Sequence, residues 1–426
     1  MVDSREISSQ VLSDIFYGKS FDRALLLNKE YSKLDQRDKS LVSLLVLTSL
    51  RRNGQIDNVL SHFIKKPLKK NFFIRYLLKI SVAQILYLDF PEYSTVHNAV
   101  EISKKYKSEK FTNAILRNIC KNKKKFIKEI PAIINIPDWI KKDLEKFLEA
   151  KDLLEIANQI SLEPYIDINI KNENFNQYNW EKILKGKKVF ENIIRIKNKS
   201  NIEDLPFFQD GKWWVQGISS SLPVFLIKKI FKKNSKNKTV LDVGSAPGGK
   251  SFQLIDFGFK VSSIEISKKR IATLNSNLER LKLNTKIINE DFLNIDFKEK
   301  FDCILIDAPC SGSGLMQKKP EMLVVKKDIS SLVKKQKKML LKAANLVKDG
   351  GYIIYCVCSM LSAEGENQII SFLNNQKCFS SKNHFTDILE FGEVLKSNTF
   401  LVTPNSFQKK GGVDGFFIGC LIKNPN

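Results

Sequence analysis

Two cysteines stand out by their settings. Cys310 lies in Asp307-Ala308-Pro309-Cys310-Ser311-Gly312-Ser313-Gly314 and Cys358 in Tyr355-Cys356-Val357-Cys358-Ser359, each just after a short apolar run. A third segment, Leu241-Asp242-Val243-Gly244-Ser245-Ala246-Pro247-Gly248-Gly249-Lys250-Ser251, also follows an apolar strand and opens a helical stretch. When short apolar strands alternate with helices, the sheet is parallel and ligands sit outside the carboxyl ends of its strands. The glycine loop and both thiols are therefore expected at one crevice. The other cysteines, Cys120, Cys303, Cys356, Cys378 and Cys420, form no C-x-x-C pair. Neither a disulfide framework nor a metal site is expected from them.

The glycine loop reads in two ways. Gly244 to Ser251 fits the pattern G-x-x-x-x-G-K-[ST], and Asp307 at the end of Cys303-Ile304-Leu305-Ile306 stands where a P-loop nucleotide triphosphatase holds magnesium. The rival is an S-adenosylmethionine crevice, in which glycine lets the backbone approach the ligand and acids at the ends of the next strands meet ribose and adenine. Glu265 follows Val261 to Ile264, about 20 residues beyond Gly244. Asp291 follows the run Thr285 to Ile288. A P-loop enzyme has no use for acids at these strand ends, so their joint placement favours the adenosyl crevice.

A thiol beside a methyl donor suits methylation of a carbon that is not itself nucleophilic, such as C5 of a pyrimidine. A thiolate adding to C6 makes the ring an enamine, C5 takes the methyl group, and loss of the C5 proton with elimination of the thiol restores the ring. A free thiol of pKa about 8.5 is only a few per cent ionised at neutral pH, so the site must be electropositive or hold a base. Lys250 is the candidate for that field, and Asp307, if it retains or shares a proton, can hydrogen-bond ring N3. The Asn/Asp-Pro-Pro-aromatic loop of amine methyltransferases is absent.

The elements that must position these residues follow from periodicity. From Ser8 to about Lys125 apolar residues recur at helical spacing (Val11, Ile15; Leu41, Leu44, Leu45; Leu77, Ile80; Ile115, Ile119), which indicates an all-helical domain. A small mixed α+β connector follows, with a helix expected from Pro137 to Ala150 and a strand at Tyr165 to Ile170. Beyond Gly211, runs at Thr239–Val243, Val261–Ile264, Thr285–Ile288, Cys303–Ile306 and Tyr352–Tyr355 alternate with helical stretches such as Lys268–Leu281 and Lys326–Val347, the mark of βαβ units. The last run, Gly415 to Ile422, suits an antiparallel strand.

The 426 residues are 43% hydrophobic and 27% charged, ordinary for globular domains and unlike a disordered or fibrous chain. Seventy Lys and Arg against 46 Asp and Glu leave a net charge of +24, which points to an anionic partner, nucleic acid first. No apolar run approaches the ~18 residues of a membrane helix, and the polar start Met1-Val2-Asp3-Ser4-Arg5-Glu6 has no signal-like core. A cytoplasmic protein without a membrane partner is expected. No dimer seam is visible, so a monomer is expected too.

Gly244 to Lys250, Asp307 to Gly312 and the Cys358-Ser359 turn together resemble the RNA cytosine-C5 methyltransferases of the NOL/NOP/Sun family. Arg37-Asp38, Pro91 followed by Val96-His97-Asn98-Ala99-Val100-Glu101, and Phe111-Thr112-Asn113-Ala114-Ile115-Leu116-Arg117 resemble the NusB-like domain, so the resemblance spans essentially the whole chain. It implies a NusB-like all-α region at 1–128, an α+β connector at 129–215 and a Rossmann-like methyltransferase domain at 216–426 with a mostly parallel seven-stranded sheet. It further implies S-adenosyl-L-methionine held by Gly244, Ser245, Ala246, Pro247, Gly248, Gly249 and Lys250, with Glu265 on the ribose, Asp291 on the adenine side and Asp307 beside the reacting centre. Cys358 becomes the attacking thiol and Cys310 the thiol that assists release, an order the residues alone leave open; 16S ribosomal RNA is the implied substrate. Val357, Gly365, Lys319 and Gly217 depart from the family's usual Thr, Asn, His and Asp. A P-loop triphosphatase and a non-catalytic NusB-like RNA-binding factor stand as alternatives.

Overall fold

Side-chain caps and apolar spacing set the N-terminal helices. Asp3, Ser20, Asn28 and Asp35 each accept a hydrogen bond from a backbone N–H in the first turn of the helix that follows. The computed structural model describes residues 3–197 and 201–425. Among them, nine helices run from Ser4–Phe16 to Lys123–Glu129, as the periodicity predicts. Helix Ile74–Tyr87 is buried nearly all round, the signature of a central core helix. Tyr76 and Ile80 pack with Val11, Leu45 and Val46, and Leu77 and Leu78 with Ile56, Leu116 and Ile119. The helix expected from Pro137 to Ala150 ends at Leu144, and a second, unexpected one, Ala150–Ile160, begins where the first is expected to stop. Glu149 turns extended at ψ 160° and restarts a helix whose Leu153, Ile156 and Ile160 are buried.

These helices form the first of two compact units, which extends through Glu163 and also takes in the segment Met316–Lys326. Within it Arg51 is buried and donates from Nε to the Gln317 carbonyl at 2.9 Å. Burial lowers the Arg51 pKa to about 10 against the opposing charge of Glu163.

The second unit comprises Pro164–Leu315 and the chain from Lys327 on. Its strands are β1 (Ile166–Ile170), β2 (Lys187–Phe190), β3 (Ile193–Ile196), β4 (Trp213–Val215), β5 (Thr239–Val243), β6 (Lys260–Ile264), β7 (Lys286–Ile288), β8 (Phe301–Asp307), β9 (Val347–Val357), β10 (Phe379–Ser381), β11 (Glu393–Val394), β12 (Phe400–Val402) and β13 (Phe416–Lys423). The first four form a small antiparallel sheet in the order β2-β3-β1-β4. The rest form one sheet in the order β11-β12-β13-β9-β8-β5-β6-β7, with β10 also on β13. Strands β5 to β9 pair in parallel, and β9 to β13 extend the sheet by antiparallel pairing. Nine strands stand where seven are expected; the short β10 and β11 carry too few residues to show a period. The expected antiparallel strand at the C-terminus is β13, alongside β9.

The central strands are apolar along their length because helices cover both faces of the sheet. Val240, Leu305 and Ile354 pack on one side with the helix Ile218–Phe231, and Leu241, Ile304 and Ile353 on the other with Met339, Leu340 and Ala343 of the helix Ile329–Leu346. Register decides what emerges at the top: Val243 lies opposite Ile264 on one side and Ile306 on the other, and Asp307 lies opposite Cys356.

A buried ion pair ties the small sheet to the rest of the unit. Arg195 on β3 lies opposite Asp167 on β1, and its guanidinium meets both carboxylate oxygens at 2.6 and 2.9 Å. Arg195 also donates to the carbonyls of Lys410 and Gly412, and Asp167 accepts from the Ile218 N–H at the start of its helix. The side chains are only 6% and 3% exposed. Asp167→Ala leaves a buried guanidinium uncompensated and is expected to cost about 3–5 kcal/mol in denaturant unfolding. The double variant Asp167→Leu, Arg195→Met is expected to be markedly more stable than Asp167→Ala; equal losses would show that the pair is not the clamp.

Candidate active site

The glycine loop leaves β5 under tight constraint. Gly244 has φ 83°, and a Cβ there would stand 2.6 Å from the Asp307 carbonyl oxygen. The N–H groups of Gly244 and Ser245 both donate to the Ile264 carbonyl at 3.0 Å, binding the loop to β6. Ser245 and Ala246 are buried and Pro247 is exposed; the helix Gly249–Asp256 then carries Lys250 and Ser251 inward. Lys250, 7% exposed, places Nζ 2.8 Å from Asp307 Oδ2 and 3.1 Å from Ser220 Oγ. Burial works to lower the lysine pKa, but the neighbouring Asp307 charge prevails and holds it above the usual lysine range.

These contacts set the P-loop reading aside. A phosphate cradle needs free loop N–H groups, a lysine reaching outward and a hydroxyl on magnesium. Here Gly244 and Ser245 spend their N–H groups on Ile264, Lys250 is committed to Asp307, and the buried Ser251 hydroxyl donates to Asp242 Oδ2.

Glu265 and Asp291 stand at neighbouring strand ends. Glu265, 2% exposed, accepts the Ser267 N–H at 2.9 Å through Oε1 and forms an ion pair with Arg270 at 2.9 Å through Oε2. Asp291 accepts the Leu293 N–H at 3.0 Å through Oδ1, with Lys335 at 3.9 Å from Oδ2. A buried carboxylate suits the hydroxyl donors of a ribose, and a partly open one beside it suits an amino group, so this end of the sheet fits the adenosyl part of S-adenosylmethionine. Arg270 also donates to the Ala246 carbonyl, joining the acid to the glycine loop. Sequence reasoning missed it, since one arginine in the Lys268-Lys269-Arg270 run looks like any solvated first turn.

The two thiols converge. Cys310 Sγ and Cys358 Sγ are 3.2 Å apart, although 48 residues separate them in the chain. Cys310 is pushed well above the usual thiol range, first by its hydrogen bond with Cys358, then by burial and by the charges of Cys358, Glu364 and Asp307. Backbone hydrogen bonds fix the turns: Ala308 N–H donates to the Cys356 carbonyl at 3.0 Å, and Gly314 N–H to the Cys358 carbonyl at 3.1 Å. Gly314 admits no side chain, because a Cβ would stand 1.8 Å from the Gly415 carbonyl oxygen. Lys327 Nζ lies 3.3 Å from the Cys310 carbonyl. Cys356 is fully buried behind the site, donating to the Ile306 carbonyl, and Val357 belongs to the core cluster with Ile369 and Phe417. Cys303 and Cys420 are core residues, and Cys120 lies in the other unit.

Beneath the loop, burial raises Asp242 to about 6, with its bond from Ser251 and the Lys250 charge opposing. The folded state then holds a proton that the unfolded chain has lost, so stability falls as pH rises from about 4 to about 6 and levels off above that. Asp242→Asn removes this titration: over that window wild type is expected to lose roughly 3 kcal/mol more than the variant. Urea unfolding across the range checks it, and parallel curves would exclude a titrating Asp242.

Residues 230–422 match the family described as 16S rRNA methyltransferase RsmB/F, and residues 2–121 match the NusB family. Ribosomal RNA small subunit methyltransferase B of Shewanella oneidensis is 29% identical over 407 residues, 91% of each chain. The protein of that name from Cronobacter sakazakii is 25% identical over 99% of each. In fold, the solved structure of PH0851 agrees with a TM-score of 0.73 over 99% of both chains at 21% identity. NSun6 from Pyrococcus horikoshii with SFG agrees at 0.57 over 68% of this chain and 99% of that one, at 16% identity. Among the described residues no helix is long and apolar enough to cross a membrane. With both regions matched and the relatives aligned nearly end to end, residues 230–422 carry an rRNA methyltransferase domain of the RsmB/F type and residues 2–121 a NusB-family domain.

Proposed function

We propose that this protein methylates C5 of a cytidine in 16S ribosomal RNA through a covalent adduct between Cys358 and C6. The observation that carries the reading is the 3.2 Å contact of Cys358 with Cys310 beside the Lys250–Asp307 pair, where the glycine loop ends. Bound S-adenosylmethionine supplies the methyl group as an electrophile. The glycine loop Gly244 to Lys250, Glu265, Asp291 and Asp307 would hold it.

The Cys358 proton leaves to solvent and the thiolate bonds to C6, while Asp307, oriented by Lys250, shares a proton with N3 and so stabilises the charge developing on the ring. C5 takes the methyl group. Loss of the C5 proton and cleavage of the sulfur–C6 bond then restore the ring and return the Cys358 sulfur. The order Cys358 first, Cys310 second follows the family resemblance, and the contact of the two sulfurs supports a role for Cys310 in release.

In this reading the helical region 1–128 serves RNA binding, 129–215 is the connector and 216–426 is catalytic. Clusters such as Lys65-Lys66, Lys69-Lys70, Lys123-Lys124-Lys125, Lys326-Lys327 and Lys334-Lys335 contact phosphates, and the pocket selects the base. The region works in the cytoplasm, on an RNA, as a monomer.

Cys358→Ala is expected to reduce methyl transfer to background, and Cys310→Ala to accumulate a protein–RNA adduct that survives denaturing electrophoresis. Full activity of Cys358→Ala would remove it as the nucleophile. Bisulfite sequencing of ribosomal RNA from cells with and without the protein is expected to lose one methylated cytidine; an unchanged pattern would overturn the assignment of the product. S-adenosylmethionine binding should need no Mg²⁺, whereas Mg²⁺-dependent ATP binding would favour a triphosphatase.

A further inference from the structure

We propose that Glu364 is a positioning residue that holds the turns of Cys310 and Cys358 together from below; this rests on the two-cysteine chemistry proposed above. Glu364 is 0% exposed. Its Oε1 accepts the Ser311 N–H at 2.8 Å and Gln336 Nε2 at 3.1 Å, and its Oε2 accepts the Ser359 hydroxyl at 2.6 Å. Ser311 follows Cys310 and Ser359 follows Cys358, so one carboxylate grips the residue next to each thiol.

The surrounding bonds reinforce that grip. Gln336, on the helix Ile329–Leu346, also donates to the Pro309 carbonyl at 3.0 Å, the residue before Cys310. The Ser359 hydroxyl accepts the Leu361 N–H at 3.1 Å and lies 3.2 and 3.0 Å from the hydroxyls of Ser311 and Ser313. Tyr355 at the end of β9 donates to the Glu364 carbonyl at 2.7 Å. The turn after β8, the turn after β9 and a covering helix thus meet at one buried side chain, where each donor would be costly to leave unpaired.

Electrostatics argues that the role is geometric. A carboxylate near a nucleophilic thiol opposes ionisation, and the Glu364 charge is among the influences that push Cys310 upward. For thiol reactivity alone a neutral residue would serve better. What the acid provides is acceptor capacity for donors from three segments at once, and so a fixed separation of the two sulfurs. The other titratable or charged groups facing the thiol pair are Asp307, Lys250, Cys356, Tyr355 and Lys327.

Glu364→Gln is nearly isosteric: its amide oxygen can keep the Ser311 and Gln336 bonds, and its NH₂ can donate to Ser359 Oγ. Glu364→Ala removes all three contacts. Two measurements on the full chain separate the roles. In steady-state methylation, Glu364→Ala is expected to lower kcat at least about tenfold with KM for RNA and for S-adenosylmethionine unchanged, and Glu364→Gln to restore most of it. Iodoacetamide labelling of Cys310 and Cys358, read by peptide mass spectrometry against pH, is expected to shift to lower pH in Glu364→Gln, because a negative charge beside the thiols is gone. Wild-type kcat in Glu364→Ala, a Glu364→Gln as impaired as Glu364→Ala, or an unmoved labelling profile would overturn the proposal. If Glu364→Ala does not fold, kcat and labelling of Glu364→Gln decide it. Labelling needs no RNA, so a shifted profile alongside a wild-type product other than 5-methylcytidine would refute the proposed reaction while leaving the Glu364 contact standing.

Discussion

The whole crevice depends on the parallel register of β5, β6, β8 and β9. Because Val243 sits level with Ile264 and Ile306, the chain leaves these strands at one height, and Gly244, Glu265 and Asp307 emerge side by side. The pairing of Asp307 with Cys356 sets the height of the Cys358 turn against that of Cys310. A slip of one residue in any ladder would turn alternate side chains to the opposite face and separate the groups that meet here. Apolar burial on both faces fixes that register more firmly than any polar contact in the site.

On this frame one buried lysine is set among three acids. Lys250 faces Asp307, Asp242 lies beneath them with Ser251, and Glu364 closes the far side under the thiols. One cation among several acids makes the crevice less electropositive than a thiolate enzyme would suggest.

Legibility in the sequence followed the range of each interaction. The helix Lys268–Leu281 and the core strands were readable because period and burial are local properties of a segment. The helix Ala150–Ile160 was not, since it lies in the Lys- and Asn-rich connector where the periodic signal is weak. Glu265 and Asp291 were readable because a strand's end and an acid's position are both sequence features. Arg270 and Glu364 escaped because their partners, Ala246 for one and Ser311 and Gln336 for the other, come from distant segments.

The sequence by itself determined the kinds of chemistry available: two thiols in glycine and serine turns, a glycine loop after a strand, and acids where a nucleoside would need them. Those properties are written in residue type and spacing. It could not separate a phosphate cradle from an adenosyl crevice by the loop's letters, because G-x-x-x-x-G-K-S describes both. Tertiary structure decided that point by spending the Gly244 and Ser245 N–H groups on Ile264, Lys250 on Asp307 and Ser251 on Asp242. It also decided that Cys310 and Cys358 touch. Contact between residues far apart in the chain is a property of strand order and register, which no local pattern encodes.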